Sequence, residues 1–522
     1  MASTPTLRTA RAIVALTAVV ALTACTTTSD TRDGTAAVTG GTLSVVGPVE
    51  VHSLEPATSS ELFTRLQVSE TLVATDADGA LRAGLATGWH ADDDTTWRFE
   101  LRPTAVFHDG EPVTADAVVA ALQIAYDKEG SPLTGAPVAE IGVDGDDIVV
   151  RLDEPFASLP AVLAHTSTQV LAPSSYDEDG AVTEVIGSGP YAISAVHPPQ
   201  RIEVTASEHW DGTAPAITDV TYQAVSRAES RALMAESGQS DVTLGMDPVS
   251  LQRLQDVDGV QIHSVTLPRT IQMKVNGEHP ALGDPLVRQA LSAALDRQGM
   301  ATALLRDPEM AATQLFPPSL ADWHQDDLTA LEHDADEARR LLAEAGWEEG
   351  PDGILVRDGE RFEITLRTFP DRPELPILAT AIQAAFADVG IDLSVSISNS
   401  SEIPAGHQDG TLDVGLYARN YALVPDPAVT LLGDFAPEGS DWGAMGWNDE
   451  DLTAALEAMA EGLDDAQAAD ARAQVAQIMQ DELPVIPVAW YRQSAVVNER
   501  VAGMTLDPLE RSWWLSELTW SS

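Results

Sequence analysis

The sequence predicts an α/β protein with two lobes, and three observations support this class. The chain has 522 residues, and single hydrophobic cores stop growing at about 250–300 residues, so at least two lobes are expected. Strand and helix patterns alternate in the second half, which is typical of mixed sheets. Hydrophobic residues make up 44% of the chain, which indicates a globular rather than a disordered protein.

The first half shows clear local periodicities. Residues 42–46, TLSVV, predict a short strand, and a helical stretch is expected over 61–71. Apolar and charged side chains alternate over 97–101, which is the period of a strand. Thr114 is a good N-cap for the helix that the following apolar residues predict.

The second half carries helix boundaries and strand–helix–strand units. Asp284 and Asp334 each precede a helical pattern, the first with Pro at the first turn and the second in a capping-box spacing with Glu337. Residues 362–366 and 393–397 alternate as strands, and a helical face lies between them.

The N-terminus predicts export and anchoring. After two arginines, the uncharged stretch 13–24 is too short to span a bilayer and fits a secretory signal. It ends in Leu-Thr-Ala-Cys25, which resembles the bacterial lipobox, whose cysteine is acylated and becomes the first mature residue. We therefore expect a lipoprotein signal peptide over 1–24, lipidation of Cys25 and a flexible tether over 25–41. The alternative is a secretory signal followed by a chance cysteine.

Charge and metal-ligand spacing exclude several functions. With 29 basic and 81 acidic residues the formal net charge is −52, a field that repels nucleic acid and anionic lipid. The acids are scattered, which favours a solvated acidic surface over a cation-binding protein. The 11 histidines are dispersed and there is one cysteine, so no structural zinc site, no other metal held by the protein and no cofactor are expected.

Several motifs follow one another in a fixed order. They are Glu70-Thr71-Leu72, Asp78-Gly79, Trp97-x-Phe-x-Leu-Arg102, Phe107-His-Asp-Gly-Glu-Pro-Val-Thr-Ala-Asp116, Gly187-Ser-Gly-Pro-Tyr191, Val287-Arg-Gln-Ala-Leu-Ser-Ala-Ala-Leu-Asp-Arg297, Asp334 through Trp347, and Leu483-Pro-Val-Ile-Pro487. Together they resemble the oligopeptide-, dipeptide- and nickel-binding proteins of ABC importers, solute-binding family 5.

The resemblance implies a two-lobed periplasmic-binding-protein-like fold of type II, cluster C, with an extra subdomain on the first lobe. The lobe I core is implied over 42–60, 190–266 and 486–522, its extra subdomain over 61–189, and lobe II over 267–485. Strands near 264–272 and 482–490 are implied to cross between the lobes.

The same resemblance implies the function. A substrate-binding component captures a small peptide or peptide-like solute between the lobes and delivers it to an ABC permease and its ATPase. The protein is expected as a monomer on the extracellular face of the cell membrane, held there by its lipid anchor alone. The alternative solute is nickel or another metal as an organic chelate of the metallophore or opine type.

Candidate ligand residues come mainly from one segment, residues 413–427. Arg419 offers a planar fork for a carboxylate, and Tyr417 and Tyr421 offer large contacts at low entropic cost. Peptide-binding relatives carry an acidic residue here for the peptide ammonium, whereas this chain has Arg419-Asn420-Tyr421, which favours an acidic ligand group. We expect Arg419→Ala to weaken binding without unfolding the protein. The alternative is that Arg419 pairs with an acid such as Asp413 or Asp426.

Three further candidates lie outside the segment 413–427. Trp442 and Trp447 follow the segment and could stack on a ligand or belong to the core. His165 stands where the nickel-binding branch places an arginine. His108 lies inside a scaffold motif and is expected to be structural.

Catalysis is not expected. The chain contains no G-x-S-x-G elbow and no Walker A loop, and acids are too abundant for any pair to be singled out. No catalytic residue is therefore nominated. A secreted hydrolase is the remote alternative, and a surface adhesin or structural lipoprotein is the other.

Overall fold

The computed structural model describes residues 40–58, 61–128, 130–437 and 439–521. The expected signal peptide, Cys25 and nearly all of the expected tether lie outside these residues. Within them, no helix combines the length and apolar character needed to cross a membrane.

Twenty-one strands are found in the described residues. In chain order they are β1 Thr42–Gly47, β2 Val73–Thr75, β3 Leu81–Ala83, β4 Ala86–Asp93, β5 Thr96–Leu101, β6 Val138–Asp144, β7 Asp147–Leu152, β8 Tyr191–His197, β9 Arg201–Ala206, β10 Asp219–Ala224, β11 Val242–Leu244, β12 Val260–Val275, β13 Glu348–Glu349, β14 Leu355–Arg357, β15 Glu360–Arg361, β16 Glu363–Thr368, β17 Asp392–Ile397, β18 Val414–Asn420, β19 Val485–Asn498, β20 Val501–Ala502 and β21 Thr519–Trp520.

Thirteen α-helices accompany them in the same part of the chain. They are α1 Leu62–Arg65, α2 Ala115–Tyr126, α3 Leu159–Val162, α4 Ala228–Glu236, α5 Pro248–Leu254, α6 Pro285–Ala293, α7 Arg297–Met300, α8 Ala335–Glu344, α9 Glu374–Asp388, α10 Glu402–Gln408, α11 Pro427–Phe435, α12 Glu450–Glu461 and α13 Asp465–Glu482.

One ten-stranded sheet runs through the molecule in the order β17-β16-β18-β12-β19-β11-β1-β10-β9-β8. Its two central strands, β12 and β19, are antiparallel and long, with 16 and 14 residues. The first part of β12 pairs only with β19, and from Arg269 onward it also pairs with β18. The β12–β19 register shifts between Thr266 and Thr270. This irregularity separates the two halves of the sheet, and a chain can bend most easily where the ladder is interrupted.

The terms lobe I core, extra subdomain and lobe II refer below to the residue ranges expected from the sequence. The four-stranded sheet β4-β5-β7-β6 lies in the extra subdomain and packs with α2 over its own apolar core. A second core surrounds β1, β9 and β10 in the lobe I core. Two more cores lie in lobe II, one around β16 to β18 with α6, α8 and α9, and one around α11, α12 and α13.

Most local predictions are confirmed. The strands expected at 42–46, 97–101, 362–366 and 393–397 correspond to β1, β5, β16 and β17. The Thr114 hydroxyl accepts the backbone N–H of Ala117 at 3.2 Å, as an N-cap does. Asp284 and Asp334 also cap their helices through their carboxylates.

Two local predictions are corrected. The helical stretch expected over 61–71 is only the four-residue helix α1, because Gln67 takes a positive φ of 55° and β-type pairing begins at Glu70. The capping box at Asp334 is half formed. Asp334 accepts the N–H of Glu337 at 2.9 Å, but the Glu337 side chain turns to Arg340, which is a stronger partner than a backbone amide.

Candidate functional site

The two lobes touch across the space where a solute is expected. In the extra subdomain, Ala157 donates its N–H to the carbonyl of Ala460 in lobe II at 2.8 Å. The neighbouring Ser158 hydroxyl donates to the carboxylate of Asp426. Val424 of lobe II packs into the apolar core of the subdomain. These contacts describe a closed arrangement of the lobes.

A charged cluster joins the lobes beside β12 and β19, and we call it the hinge cluster. The Glu510 carboxylate of lobe I accepts a hydrogen bond from Arg269 at 3.1 Å and from the Asn420 amide at 2.9 Å, both from lobe II. Tyr491 lies between two guanidinium groups, with the Cζ atoms of Arg269 and Arg372 each 5.2 Å from its ring centroid. The cluster therefore ties lobe I to lobe II through buried polar contacts.

Electrostatics keep Glu510 ionised despite its depth. Burial alone would raise the pKa of Glu510, but the positive charges of Arg269, Arg65 and Arg372 outweigh it and hold that pKa below the ordinary value. Burial, with a smaller effect of Glu374, raises the pKa of Tyr491 to about 12. At neutral pH the cluster consists of a carboxylate, arginines and a neutral phenol.

Arg419 forms an ion pair with Asp434. Its Nε and one terminal nitrogen donate to the two carboxylate oxygens of Asp434, each at 2.7 Å. Asp434 is 2% exposed and Arg419 23% exposed at the side chain. The acid that meets Arg419 is thus neither Asp413 nor Asp426. This pair uses two of the five N–H donors of the Arg419 guanidinium and gives it a carboxylate partner within lobe II.

Tyr417 and Tyr421 are 1% and 0% exposed and meet over Gln272. The Gln272 amide donates to the Tyr417 hydroxyl at 3.2 Å, and the Tyr421 hydroxyl donates to the Gln272 carbonyl at 2.6 Å. The Tyr417 hydroxyl donates to the carbonyl of Trp442. In the closed arrangement both rings are therefore inside the protein.

The two tryptophans pack against protein side chains. Trp442 meets Tyr417 edge-on with 5.2 Å between ring centroids. Trp447 meets Phe435 edge-on at 6.3 Å. Both are half-buried beside the cores of lobe II. Trp442 joins the β18 candidates, whereas Trp447 contacts a different set of residues.

His165 stands on the lobe I side, within electrostatic reach of Arg419. Burial, and then the charges of Arg511 and Arg419, lower the pKa of His165 to about 3, so the imidazole is neutral. Its Nδ1 accepts the backbone N–H of Ser167 at 3.1 Å. A neutral imidazole that accepts at Nδ1 carries its proton on Nε2. No described residue accepts that proton.

A cavity of about 200 Å³ lies between the lobe I core and the extra subdomain. Ala164 and Thr166, the neighbours of His165, form part of its wall, and Arg511 and Trp514 form another part. All three guanidinium nitrogens of Arg511 are buried and lack a hydrogen-bond partner among the described residues. The Trp514 indole nitrogen is in the same condition.

Sequence reasoning missed Arg511, Trp514 and Glu510, which lie within six residues of one another near the C-terminus. The run Glu510-Arg511 beside two tryptophans is unusual, but it gives no sign of which charge is paired. Pairing is decided by Arg269 and Asn420, which are distant in sequence. A contact of that kind has no local pattern.

A larger cavity of about 540 Å³ also lies between the lobes. It is bordered by α5, by residues 305–310 and by Trp490 to Ser494 of β19, together with Glu374. Neither the residues expected from the sequence nor Arg511 borders it, so we place the candidate site elsewhere. Across the described ranges, no group of three or more His, Cys, Asp or Glu residues is arranged to hold a metal ion.

Comparison with known proteins gives consistent matches. The sequence profile of the bacterial extracellular solute-binding proteins, family 5 (middle part), matches residues 80–441. The nickel-binding periplasmic protein of Escherichia coli K12 is 25% identical over 415 residues, covering 77% of this chain and 78% of that protein.

Two crystal structures share the fold. NikA from Brucella suis, solved with Fe(III)-EDTA, superposes with a TM-score of 0.83 at 23% identity, covering 92% of this chain and 100% of that one. The oligopeptide-binding protein AppA from Bacillus subtilis, solved with a nonapeptide, gives 0.82 at 20% identity, covering 93% and 100%.

Two lobes on a shared sheet, joined by two strands and closed over buried polar groups, define an extracellular solute-binding protein of the two-lobed α/β class. The chain belongs to the bacterial extracellular solute-binding proteins, family 5. It is thus a solute-binding component of an ABC importer, with the two-lobed fold and the extra subdomain that the sequence predicts.

Proposed function

We propose that this protein captures a small peptide or peptide-like solute between its lobes, closes around it and presents the closed form to an ABC permease, without catalysing a reaction. The contact of Ala157 and Ser158 with lobe II is the observation that supports this function, because it joins the extra subdomain directly to lobe II. A solute that bridges the lobes would favour the closed arrangement by its difference in affinity for the two forms.

A metal carried as an organic chelate is the second candidate solute. The similarity to a nickel-binding protein and to a structure that holds Fe(III)-EDTA favours it. A chelate needs few protein ligands, which agrees with the finding that the described residues offer no cluster for a bare ion. The neutral imidazole of His165 is the one candidate side chain suited to a chelated metal.

Lobe closure can be measured by fluorescence. The chain has one cysteine, so the variant Cys25→Ser has no native thiol that could react with a label. Two fluorescent labels can then be attached at Leu233→Cys in lobe I and at Ile397→Cys in lobe II, since these positions are 58% and 51% exposed. We expect energy transfer to rise when a mixture of tri- to pentapeptides is added, because the lobes approach. Nickel with histidine, added separately, tests the second candidate.

The control carries both labels in lobe I, at Leu233→Cys and Val249→Cys, which are 58% and 62% exposed. Its signal should not change with solute. Hydrolysed peptides after incubation would contradict a binding function. Binding of either probe by calorimetry without any change in energy transfer would contradict the closing mechanism.

We further propose that Cys25 carries the lipid and that the monomeric protein works at the outer face of the cell membrane. The lipobox-like sequence before Cys25 supports this. Cys25→Ser should release the protein into the medium, and mass spectrometry of the wild-type N-terminal peptide should show acyl chains. A wild-type peptide without acyl chains contradicts the anchor.

A further inference from the structure

Arg511 is a buried cation that no acid in its surroundings neutralises by direct contact. It is 7% exposed, and its three side-chain nitrogens have no partner among the described residues. Burial lowers the pKa of Arg511 to about 10, which still leaves it charged at neutral pH. An uncompensated buried charge is strongly unfavourable, so such groups are normally paired.

Each acid near Arg511 is committed to other partners. Asp507, in the same cavity wall, accepts the backbone N–H groups of Leu509, Arg511 and Ser512 at 2.8, 2.9 and 3.0 Å. Its charge acts on Arg511 only through space.

The other two nearby acids are likewise engaged. Glu70, also in the wall, accepts from Arg102 at 2.9 Å and from Ser188 at 2.8 Å. The adjacent residue Glu510 faces Arg269 and Asn420 in the hinge cluster. Asp507, Glu70 and Glu510 therefore each accept hydrogen bonds from donors other than the Arg511 guanidinium.

Trp514 repeats the observation independently. Its indole N–H is buried and unpartnered, and it borders the same cavity as Arg511. Its backbone has a φ of 50°, which an amino acid other than glycine seldom adopts. Four buried nitrogen atoms without a partner among the described residues thus belong to two residues that line one small cavity.

We propose that this cavity is the subsite for an anionic group of the solute, a carboxylate, held by the Arg511 guanidinium and the Trp514 indole N–H. A carboxylate offers two oxygens to the fork of a guanidinium. About 200 Å³ is too small for an oligopeptide but accommodates one end of it. The neighbours of His165, Ala164 and Thr166, border the same cavity, and the charges of both Arg511 and Arg419 act on its imidazole.

The subsite is built only from the lobe I core and the extra subdomain. It therefore exists before lobe II closes, and the carboxylate binds first. This inference rests on the proposed function, and it defines the solute class as one that carries a carboxylate. Free peptides carry one at the C-terminus, and aminocarboxylate chelators carry several.

Thermal unfolding with small anions tests the subsite without knowledge of the solute. Sodium acetate, compared with sodium chloride at equal ionic strength, should raise the Tm of the wild type by about 1–3 °C at several times its Kd. Arg511→Met should abolish the difference, and Trp514→Phe should reduce it. Because an unpaired buried charge is removed, Arg511→Met should also have a higher Tm than the wild type without acetate.

The matched control is Arg253→Met. Arg253 is an exposed arginine that pairs with Glu236 at 2.7 Å, and its removal should leave the acetate response unchanged. An equal response of the wild type and Arg511→Met, or an Arg511→Met protein that unfolds at a much lower temperature, overturns the subsite.

Calorimetry with trialanine, trialanine amide and nickel with histidine then separates sources of the carboxylate and separates this inference from the proposed function. We expect trialanine amide to bind the wild type at least tenfold more weakly than trialanine does. We also expect trialanine, and nickel with histidine, to bind Arg511→Met at least tenfold more weakly than the wild type. A probe that binds the wild type and Arg511→Met equally overturns the carboxylate subsite and leaves solute binding standing. An acetate response that depends on Arg511, with no binding of any solute, upholds the subsite and contradicts the proposed function.

Discussion

Arg419 and Arg511 are similar side chains near the same cleft, and their partners distinguish them. Arg419 donates from Nε and one terminal nitrogen to the Asp434 carboxylate, whereas Arg511 meets no carboxylate among the described residues. The ion pair of Arg419 predicts a contribution to stability, whereas the proposed subsite at Arg511 predicts a contribution to binding. That Arg419→Ala weakens solute binding without unfolding the protein remains a prediction.

Arg419→Met should lower the free energy of unfolding by about 2–3 kcal/mol, because it leaves the buried Asp434 without its cation. Asp434→Asn in the same protein should restore part of that loss. Urea unfolding of the two single variants and the double variant measures the coupling. Additive effects of the two substitutions would show that the ion pair contributes nothing to the free energy of unfolding. An Arg419→Met protein of unchanged stability that binds solute more weakly would support a role of Arg419 in ligand binding.

Lys274 gives a second residue-scale prediction, because it is 0% exposed. Its ammonium contacts His407 Nδ1 at 2.5 Å and the Asp441 carbonyl at 2.9 Å. Burial lowers the pKa of Lys274 from 10.5 to about 7. Between these values the unfolded chain binds the proton more tightly than the folded protein, so this group makes stability rise with pH from about 7 to 10.5.

The expected slope from Lys274 is at most about 1.4 kcal/mol per pH unit. Urea unfolding of the wild type at pH 7, 8 and 9 should show the rise, and Lys274→Met should not show it. Lys128→Met is the control, since Lys128 is partly exposed and pairs with Glu55 at 3.1 Å. The same slope in wild type and Lys274→Met would contradict the assignment.

At the scale of elements, the Gly187-Ser-Gly189 turn shows why glycine is required at two positions of a sequence motif. A Cβ on Gly187 would lie 2.1 Å from the Val68 carbonyl oxygen, and one on Gly189 would lie 2.2 Å from that of Gln67. On the other side, His108 contacts both carbonyls of the turn at 2.9 Å. The turn is thus held between two backbone segments with no room for a side chain, and His108 has a structural contact.

Gly189→Ala should destabilise the protein by about 3 kcal/mol or more, because backbone and not a flexible side chain must move. Gly88→Ala is the matched control, since a Cβ at Gly88 would meet nothing within 4 Å. Thermal unfolding of both variants measures the difference. A Gly189→Ala protein as stable as Gly88→Ala would contradict the close approach.

At the scale of the whole molecule, closure depends on contacts that cross between the lobes. Glu510 is central, because its carboxylate accepts from Arg269 and Asn420 of lobe II while its carbonyl accepts from Arg65 at 2.7 Å. Since its folded-state pKa is lowered, this contribution is present above the ordinary value of 4.5 and is lost as the pH falls through the folded-state pKa.

Glu510→Gln should therefore favour the open arrangement at neutral pH. We expect lower energy transfer between labels at positions 233 and 397 before solute is added, and about tenfold weaker solute binding, which corresponds to about 1.4 kcal/mol. Glu236→Gln, at an exposed ion pair of lobe I, is the control. Unchanged energy transfer in Glu510→Gln would show that the hinge cluster does not hold the lobes together.

The class of the molecule follows from its sequence. Periodicity, caps and ordered motifs gave β1, β5, β16, β17 and the caps at Thr114 and Asp284, because these features depend on residues close together along the chain. The resemblance carried by the motifs led to the two-lobed fold, which the structural comparisons confirm, and to family 5, which the family profile confirms.

Which charged groups are paired among the described residues follows from contacts between distant parts of the folded chain. Asp434 lies 15 positions from Arg419, Arg269 lies 241 positions from Glu510, and Arg511 is known to lack an acid only once all its neighbours are in place. Burial and pairing are sums over residues that the fold brings together from distant parts of the chain. A pattern of neighbouring residues does not contain this information, so the sequence singles out Arg419 but does not show that Asp434 pairs with it.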